Sequence, residues 1–181
     1  FIDTQTHAIW VDVDSYERQP SGSTSYVNNG ELNAIRTVIK ALQKADGFQK
    51  FMDSQEKPED KEIGIITFYG AQYGKIKEMY KDGKIDKSLP FRINVVDKFQ
   101  GMERNIIIVS MVRSHCIQTE KGQKPNYTKY GEDGYPKQKD IGFAQSPNRL
   151  NVALSRAKRL LIIVGDSQLF RTKEIYDNVY N

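Results

Sequence analysis

The amino-acid sequence predicts an α/β domain built on a parallel β-sheet. Three stretches, residues 63–68, 105–112 and 160–164, are predominantly apolar and rich in β-branched side chains, which is typical of strands buried on both faces. Stretches with helical periodicity lie between these runs. Strands that alternate with helices pair in parallel, and a chain of 181 residues is long enough to bury such a sheet within one domain.

The chain begins with a predicted strand at residues 7–14, which end in an alternation of apolar and polar side chains. Asp12 and Asp14 lie on the same face of this strand, as a pair of metal-binding carboxylates would. No third ligand is close in the sequence, so a solvated strand end is favoured over a metal site.

A loop and a helix follow. Residues 17–30 are rich in Pro, Gly, Ser, Thr and Asn, which indicates a loop. Asn28 or Asn29 can cap the next helix, whose apolar face continues to about residue 46. Residues 48–61 are polar and predict a second loop.

The strand at 63–68 leads through a tight turn into a helix whose apolar face includes Ile76. This geometry places the turn at the carboxyl edge of a parallel sheet, where ligands bind in this fold class. Residues 70–76 do not form a P-loop, because three residues rather than four separate the glycines and Ile76 replaces the Ser or Thr that would hold magnesium. The sequence contains no Walker A motif.

Residues 91–96 and 105–112 predict two further strands, and the connection at 97–104 is too short for a crossover helix. Four polar side chains and a glycine between two apolar strands favour the wall of a binding site. The alternative is a hairpin between neighbouring strands.

A predicted helix and strand near the end of the chain carry a basic stretch. On a helix, Leu150, Ala153, Leu154 and Ala157 share an apolar face, and Arg149 and Arg156 lie together along its edge. The strand at 160–164 follows directly, so the arginines are expected at the rim of the sheet, near the carboxyl ends of its strands. Arginine binds phosphate bidentately and keeps its charge. The alternative is a surface helix edged by arginine stems.

Residues 115–140 interrupt the alternation of strands and helices, and a loop of this length is usually functional or disordered. Lysines interleaved with tyrosines could follow and stack on single-stranded nucleic acid. Near balance of charge favours a merely mobile insertion instead.

Composition sets only broad limits on function. A formal charge of +4 favours polyanionic partners mildly. The single cysteine, Cys116, excludes a disulfide within the chain and indicates a reducing cytoplasm, and His7 and His115 offer no metal-ligand spacing. No apolar run approaches the roughly 18 residues of a membrane span. The chain starts at Phe1 in strand-like sequence, so it is expected to be part of a longer polypeptide.

Three blocks of this sequence resemble motifs IV, V and VI of superfamily 1 helicases. They are I-G-I-I-T-F-Y-G-A-Q at 63–72, V-D-K-F-Q-G-M-E-R-N-I-I-I-V-S-M-V-R-S at 96–114, and I-G-F-A-Q-S-P-N-R-L-N-V-A-L-S-R-A-K-R-L-L-I-I-V-G-D at 141–166. The resemblance is to the branch typified by the nonsense-mediated-decay RNA helicase and its DNA-helicase relatives. It covers nearly the whole chain apart from residues 115–140.

This resemblance implies that residues 1–181 form the second of two RecA-like domains, with helices on both faces of a parallel sheet. In such enzymes the first domain carries the P-loop and the magnesium carboxylate, and ATP binds between the domains. The implied partners are therefore ATP, Mg²⁺, an N-terminal RecA-like domain of the same polypeptide and single-stranded DNA or RNA, with no membrane. The implied enzyme is an ATP-dependent helicase or translocase, and this chain alone is expected to be inactive.

The resemblance also implies roles for individual residues. Arg156, in the S-R-A of motif VI, matches the arginine finger that stabilises charge on the transferring γ-phosphoryl group. The residues implied at the nucleotide are Gln100, Gly101, Glu103, Arg149 and Arg156. The residues implied at the nucleic-acid strand are Thr67, Tyr69 and Asp97, and none is implied to bind a metal.

Three positions depart from the family pattern. Asn148 replaces the first arginine of a pair, Phe68 replaces a proline of motif IV, and Val95 replaces a hydroxyl residue that would contact a phosphate. Affinity for the strand is therefore expected to differ from that of the family. A second hypothesis is a catalytically silent module that binds nucleic acid or a protein. A free-standing metabolic nucleotide-binding domain would need a glycine-rich phosphate loop, which the sequence lacks.

Overall fold

The computed structural model describes residues 7–118, 131–132, 134–138 and 140–176. In chain order its strands are β1 (Ala8–Asp12), β2 (Glu17–Arg18), β3 (Val27–Asn28), β4 (Ile63–Thr67), β5 (Phe91–Val95), β6 (Arg104–Ser110), β7 (Ile117–Gln118) and β8 (Ala157–Gly165). Its α-helices are α1 (Asn29–Lys44), α2 (Phe48–Asp53), α3 (Gly70–Lys81), α4 (Pro147–Leu154) and α5 (Ser167–Phe170). The 3₁₀ turns lie at Pro58–Lys61, Val96–Lys98, Gly142–Gln145 and Glu174–Tyr176.

The main sheet has five strands in the order β1-β8-β6-β4-β5, and every neighbouring pair is parallel. All residues of β4 and β6 are buried, which explains the apolar runs at 63–66 and 106–109. The predicted parallel sheet is therefore confirmed. A small second sheet, in the order β3-β2-β7, joins the N-terminal segment to the chain that follows β6.

Helices cover both faces of the main sheet, and the architecture is RecA-like. On one face α1, α2 and α3 pack on the strands through Ile35, Ile39, Phe48, Ile76 and Met79. On the other face α4, α5 and the turn at Val96–Lys98 pack through Val96, Phe99, Leu150, Ala153 and Phe170. Burying a large apolar side chain contributes about 1.5–3 kcal/mol, so both layers stabilise the sheet between them.

The cap of α1 is Asn28, whose side chain accepts a hydrogen bond from the Glu31 backbone N–H at 3.2 Å. Of the two predicted caps, Asn28 and Asn29, Asn28 is the residue that caps the helix.

The hairpin alternative for the connection between β5 and β6 is wrong. Both strands pair in parallel with β4, which lies between them. The connection therefore starts at the carboxyl end of β5, crosses one face of the sheet and enters β6 at its amino end. Phe99, which is fully buried, anchors this crossing to the apolar layer.

Two other predicted boundaries are wrong. Residues 48–61 are not a loop, because Phe48 and Met52 are buried and hold the short helix α2 against α1. The predicted helix that carries Arg149, α4, ends at Leu154, and Ala157 already pairs with Arg104 at the start of β8. Pairing with β6 thus replaces the helix that the apolar periodicity predicts through residue 157.

Most of the predicted insertion at 115–140 lies outside the described residues, and so does its proposed contact with nucleic acid. Its two ends are described. The backbones of Cys116 and Lys137 form an isolated antiparallel β-bridge, and the Tyr135 ring stacks on the Tyr16 ring with 4.4 Å between centroids. Within the described ranges, no helix is both long and apolar enough to cross a bilayer.

Candidate functional site

The residues implied at the functional sites lie at two opposite edges of the main sheet. At the amino edge, where the strands begin, Glu103 precedes β6 and Arg156 precedes β8. At the carboxyl edge, where the strands end, Thr67 closes β4 and Asp97 follows β5. The parallel arrangement of all five strands produces this separation, because it aligns every start at one edge and every end at the other.

The amino edge presents an arginine, Arg156, that has no acidic partner among the described residues. The Arg156 guanidinium donates hydrogen bonds to the neighbouring Ser155 hydroxyl at 2.8 and 3.3 Å. Its backbone carbonyl accepts a hydrogen bond from the Arg104 N–H at 3.0 Å, which holds the turn against the start of β6. Among the residues that the structure describes, no carboxylate pairs with Arg156, so its charge is available to an external anion.

Other groups shape the same edge. The buried Arg104 forms an ion pair with Glu62, and its guanidinium donates to the Glu103 carbonyl at 2.7 Å. The Glu103 side chain is exposed. Gln100 and Gly101 lie in the turn that leads to β6, and Gly101 has a φ of +76°, which only glycine adopts without strain. Arg104 and Glu62 were not identified from the sequence, because no local pattern marks an ion pair between residues 42 positions apart.

The predicted proximity of Arg149 and Arg156 is wrong, and so is the predicted position of Arg156 near the carboxyl ends of the strands. Arg149 begins α4 at the carboxyl edge, whereas Arg156 follows the end of α4 at the amino edge. Arg149 forms a bidentate pair with Asp97, with N–O distances of 2.9 and 3.0 Å. A residue implied at the nucleotide thus contacts one implied at the nucleic acid.

At the carboxyl edge, Thr67 and Tyr69 are buried, with 0% and 2% of their surface exposed. The Tyr69 hydroxyl accepts a hydrogen bond from Arg113 at 3.0 Å. Asp97 remains exposed beside Arg149, and the Phe143 ring stands above Tyr69 at 5.5 Å between centroids. Asp97, Arg149 and Phe143 are therefore among the solvent-facing groups at this edge, and sequence reasoning missed Phe143.

A buried ion pair supports this edge and was also missed. The Arg113 Nε donates to both carboxylate oxygens of Glu17, at 2.9 and 3.0 Å, and both side chains are almost completely buried. Glu17 also accepts hydrogen bonds from the Ser114 N–H at 2.8 Å and the Gln138 amide at 2.7 Å. The Arg113 guanidinium lies 4.5 Å from the Tyr26 ring centroid. This network ties β2, the end of β6 and the segment before α4 together.

A second buried carboxyl, that of Glu31, holds the backbone where β6 ends. It accepts hydrogen bonds from the Ser110 hydroxyl at 2.6 Å and the Val112 N–H at 2.8 Å. Val112 has a φ of +70°, a strained conformation for a β-branched residue. The turn at Val112 directs Arg113 toward Tyr69, so Glu31 helps to fix the geometry of the carboxyl edge.

Burial raises the pKa of Glu31 from 4.5 to about 8, and the hydrogen bonds from Ser110 and Val112 offset only part of this rise. Burial likewise raises the pKa of Glu17 to about 7, where the Arg113 charge opposes it. Both carboxyls therefore bind protons more tightly in the folded chain than in the unfolded chain.

Glu31→Gln is expected to flatten the pH dependence of stability. In wild type, the proton on the buried Glu31 carboxyl stabilises the fold. Its contribution to the free energy of unfolding is complete below pH 4.5 and decreases by about 1 kcal/mol per pH unit until the pH reaches about 8. Urea unfolding of the chain at several pH values between these limits measures the slope. Glu56→Gln, at an exposed position, is the matched control and should keep the wild-type slope. An unchanged slope in Glu31→Gln would contradict the role of burial.

The described residues contain no group of three or more His, Cys, Asp or Glu side chains that could hold a metal ion.

Comparison with known proteins identifies the family. The AAA domain family matches residues 1–168. "Putative helicase mov-10-B.1" from Danio rerio is 34% identical over 175 residues, which cover 91% of this chain and 15% of that protein. "Regulator of nonsense transcripts 1" from Dictyostelium discoideum is 32% identical and covers 90% of this chain and 10% of that protein.

A third relative, "ATP-dependent helicase NAM7" from Saccharomyces cerevisiae, is 32% identical and covers 94% of this chain and 14% of that protein. The chain thus spans 10–15% of the length of these three relatives. The match to the family extends over most of the chain and includes all three motif blocks. The chain therefore belongs to the AAA domain family and is related to the superfamily 1 helicases that include the nonsense-mediated-decay helicase.

Proposed function

We propose that residues 1–181 are the second RecA-like motor domain of an ATP-dependent superfamily 1 helicase or translocase. The observation that carries this proposal is the position of Arg156 on the amino edge, beside Glu103 and without a carboxylate partner among the described residues. An unpaired guanidinium at the rim of a domain suits an anion bound to a neighbouring domain, because its planar fork binds oxyanions bidentately.

Arg156 is the proposed arginine finger. ATP, when bound between two domains, supplies the γ-phosphoryl group that is transferred to water. Arg156 would stabilise the negative charge that this transfer develops, and Gln100, Gly101 and Glu103 would line the same side of the cleft. Mg²⁺ is assigned to the N-terminal RecA-like domain of the same polypeptide. Arg149 is the weakest member of the proposed nucleotide set, because Asp97 already occupies its guanidinium.

The opposite edge is the proposed track for single-stranded DNA or RNA. Asp97 is exposed at this edge, whereas Thr67 and Tyr69 are buried. We propose that the buried side chains of Thr67 and Tyr69 shape the surface on which the strand lies. Domain closure on ATP would act at the amino edge, and opening would displace the carboxyl edge along the strand.

ATP hydrolysis by the full-length polypeptide and by this chain alone tests the proposal. The full-length polypeptide is expected to hydrolyse ATP faster when single-stranded oligonucleotide is added, whereas this chain alone is expected to be inactive, because the P-loop and Mg²⁺ are assigned to the other domain. Nucleic-acid binding without any hydrolysis by the full-length polypeptide would instead support the catalytically silent module.

A further inference from the structure

The ring of Phe143 is exposed to solvent and lies outside the apolar core of the domain. Among the described residues, the exposed large hydrophobic side chains are Ile9, at 41%, and Phe143, at 53%. Ile9 lies on β1, which is an outermost strand of the main sheet. Phe143 lies in the turn Gly142–Gln145, directly before α4, at the carboxyl edge.

The turn that carries the exposed ring is anchored by contacts with buried side chains. The Phe143 N–H donates to the Tyr69 hydroxyl at 3.3 Å, and the Arg149 guanidinium lies 4.8 Å from the Phe143 ring centroid. Gly142 has a φ of +54°, and a Cβ there would overlap the Arg113 guanidinium and the Tyr69 hydroxyl. The backbone of the turn is therefore seated on the buried Arg113 and Tyr69, and the ring projects from a fixed base.

The chemistry of this position suits a nucleobase. Tyr69 is 2% exposed and cannot offer its ring face to a base, whereas Phe143 stands on Tyr69 and reaches solvent. Aromatic rings beside cations are the usual platforms for single strands, because every base has a π-face. Arg149 supplies the adjacent cation, and its pairing with Asp97 keeps the guanidinium against the ring.

We propose that Phe143 is a stacking site for one base of a single strand at the carboxyl edge. This inference rests on the proposed function, since it requires a strand at that edge. It adds a base contact to a surface for which the helicase resemblance implies contacts with the strand's backbone.

The test measures binding of the full-length polypeptide to a fluorescent single-stranded oligothymidylate and to an abasic strand of the same length. Phe143→Ala is expected to weaken binding to the base-containing strand about 5- to 100-fold, the range for loss of one stacked base. Binding to the abasic strand should change less than about twofold, because its phosphate contacts remain. Phe143→Trp should retain wild-type affinity for both strands.

Two controls separate stacking from general damage. Ile9→Ala removes the other exposed apolar side chain and should leave both affinities unchanged. The salt dependence of binding should keep its slope in Phe143→Ala, because that slope counts phosphate contacts. Equal losses on both strands, or no loss on either, would overturn the stacking site while leaving the proposed function intact. If wild type bound neither the base-containing nor the abasic strand, the proposed function itself would fail.

Discussion

Replacing Arg156 by alanine is expected to lower nucleic-acid-stimulated ATP hydrolysis by the full-length polypeptide about 10³-fold or more, as arginine fingers do in phosphoryl transfer. The physical reason is that the guanidinium meets charge that develops only as the phosphoryl group transfers, so its loss raises the barrier. Affinity for ATP should change far less than kcat. Steady-state kinetics with saturating single-stranded oligonucleotide measures both quantities.

Two variants sharpen this prediction. Arg156→Lys keeps the positive charge but loses the planar fork, and it should recover only part of the lost rate. Arg159→Ala removes a nearby cation on β8 that lies over the Phe51 ring, and it should hydrolyse ATP at nearly the wild-type rate. Because the described side-chain partner of Arg156 is the Ser155 hydroxyl, thermal unfolding should be unchanged in Arg156→Ala. A loss of less than about tenfold would contradict the finger assignment.

Arg113→Met is expected to lower the free energy of unfolding of the chain by about 3–5 kcal/mol, the cost of leaving one member of a buried ion pair alone. Glu17 would then be a buried carboxylate that has lost the Arg113 charge, whereas the hydrogen bonds from Ser114 and Gln138 would remain. Since domains are stable by about 5–15 kcal/mol, a loss of this size is a large share of the total. Urea unfolding followed by circular dichroism measures it.

A double-mutant cycle distinguishes the ion pair from simple loss of packing. The double variant Arg113→Met with Glu17→Gln should lose less stability than the two single variants lose in sum, because no charge remains buried. The penalty in Arg113→Met should also grow as the pH rises above about 7, since the pKa of Glu17 is already raised to about 7 with Arg113 present. Strict additivity and a pH-independent penalty would show that the pair contributes no electrostatic stabilisation.

The buried strands were predictable because their signal is local. Apolar runs form most of β4, β6 and the second half of β8, and burial on both faces of a sheet favours this pattern. Errors arose where a local pattern competed with a distant partner. The apolar periodicity of α4 continues past Leu154, but pairing of Ala157 with Arg104 in β8 ends the helix at Leu154.

Sequence alone determined the class of the fold, the strands of its core and the motifs that relate the chain to the superfamily 1 helicases. Only the tertiary structure decided that Arg149 and Arg156 occupy opposite edges, and that Phe143 is exposed above Tyr69. It also decided that Glu17 meets Arg113, 96 positions away in the chain. The physical reason is that apolar periodicity depends on neighbouring residues, whereas the environment of a charge or an exposed ring depends on which distant segments the order and direction of the strands bring together.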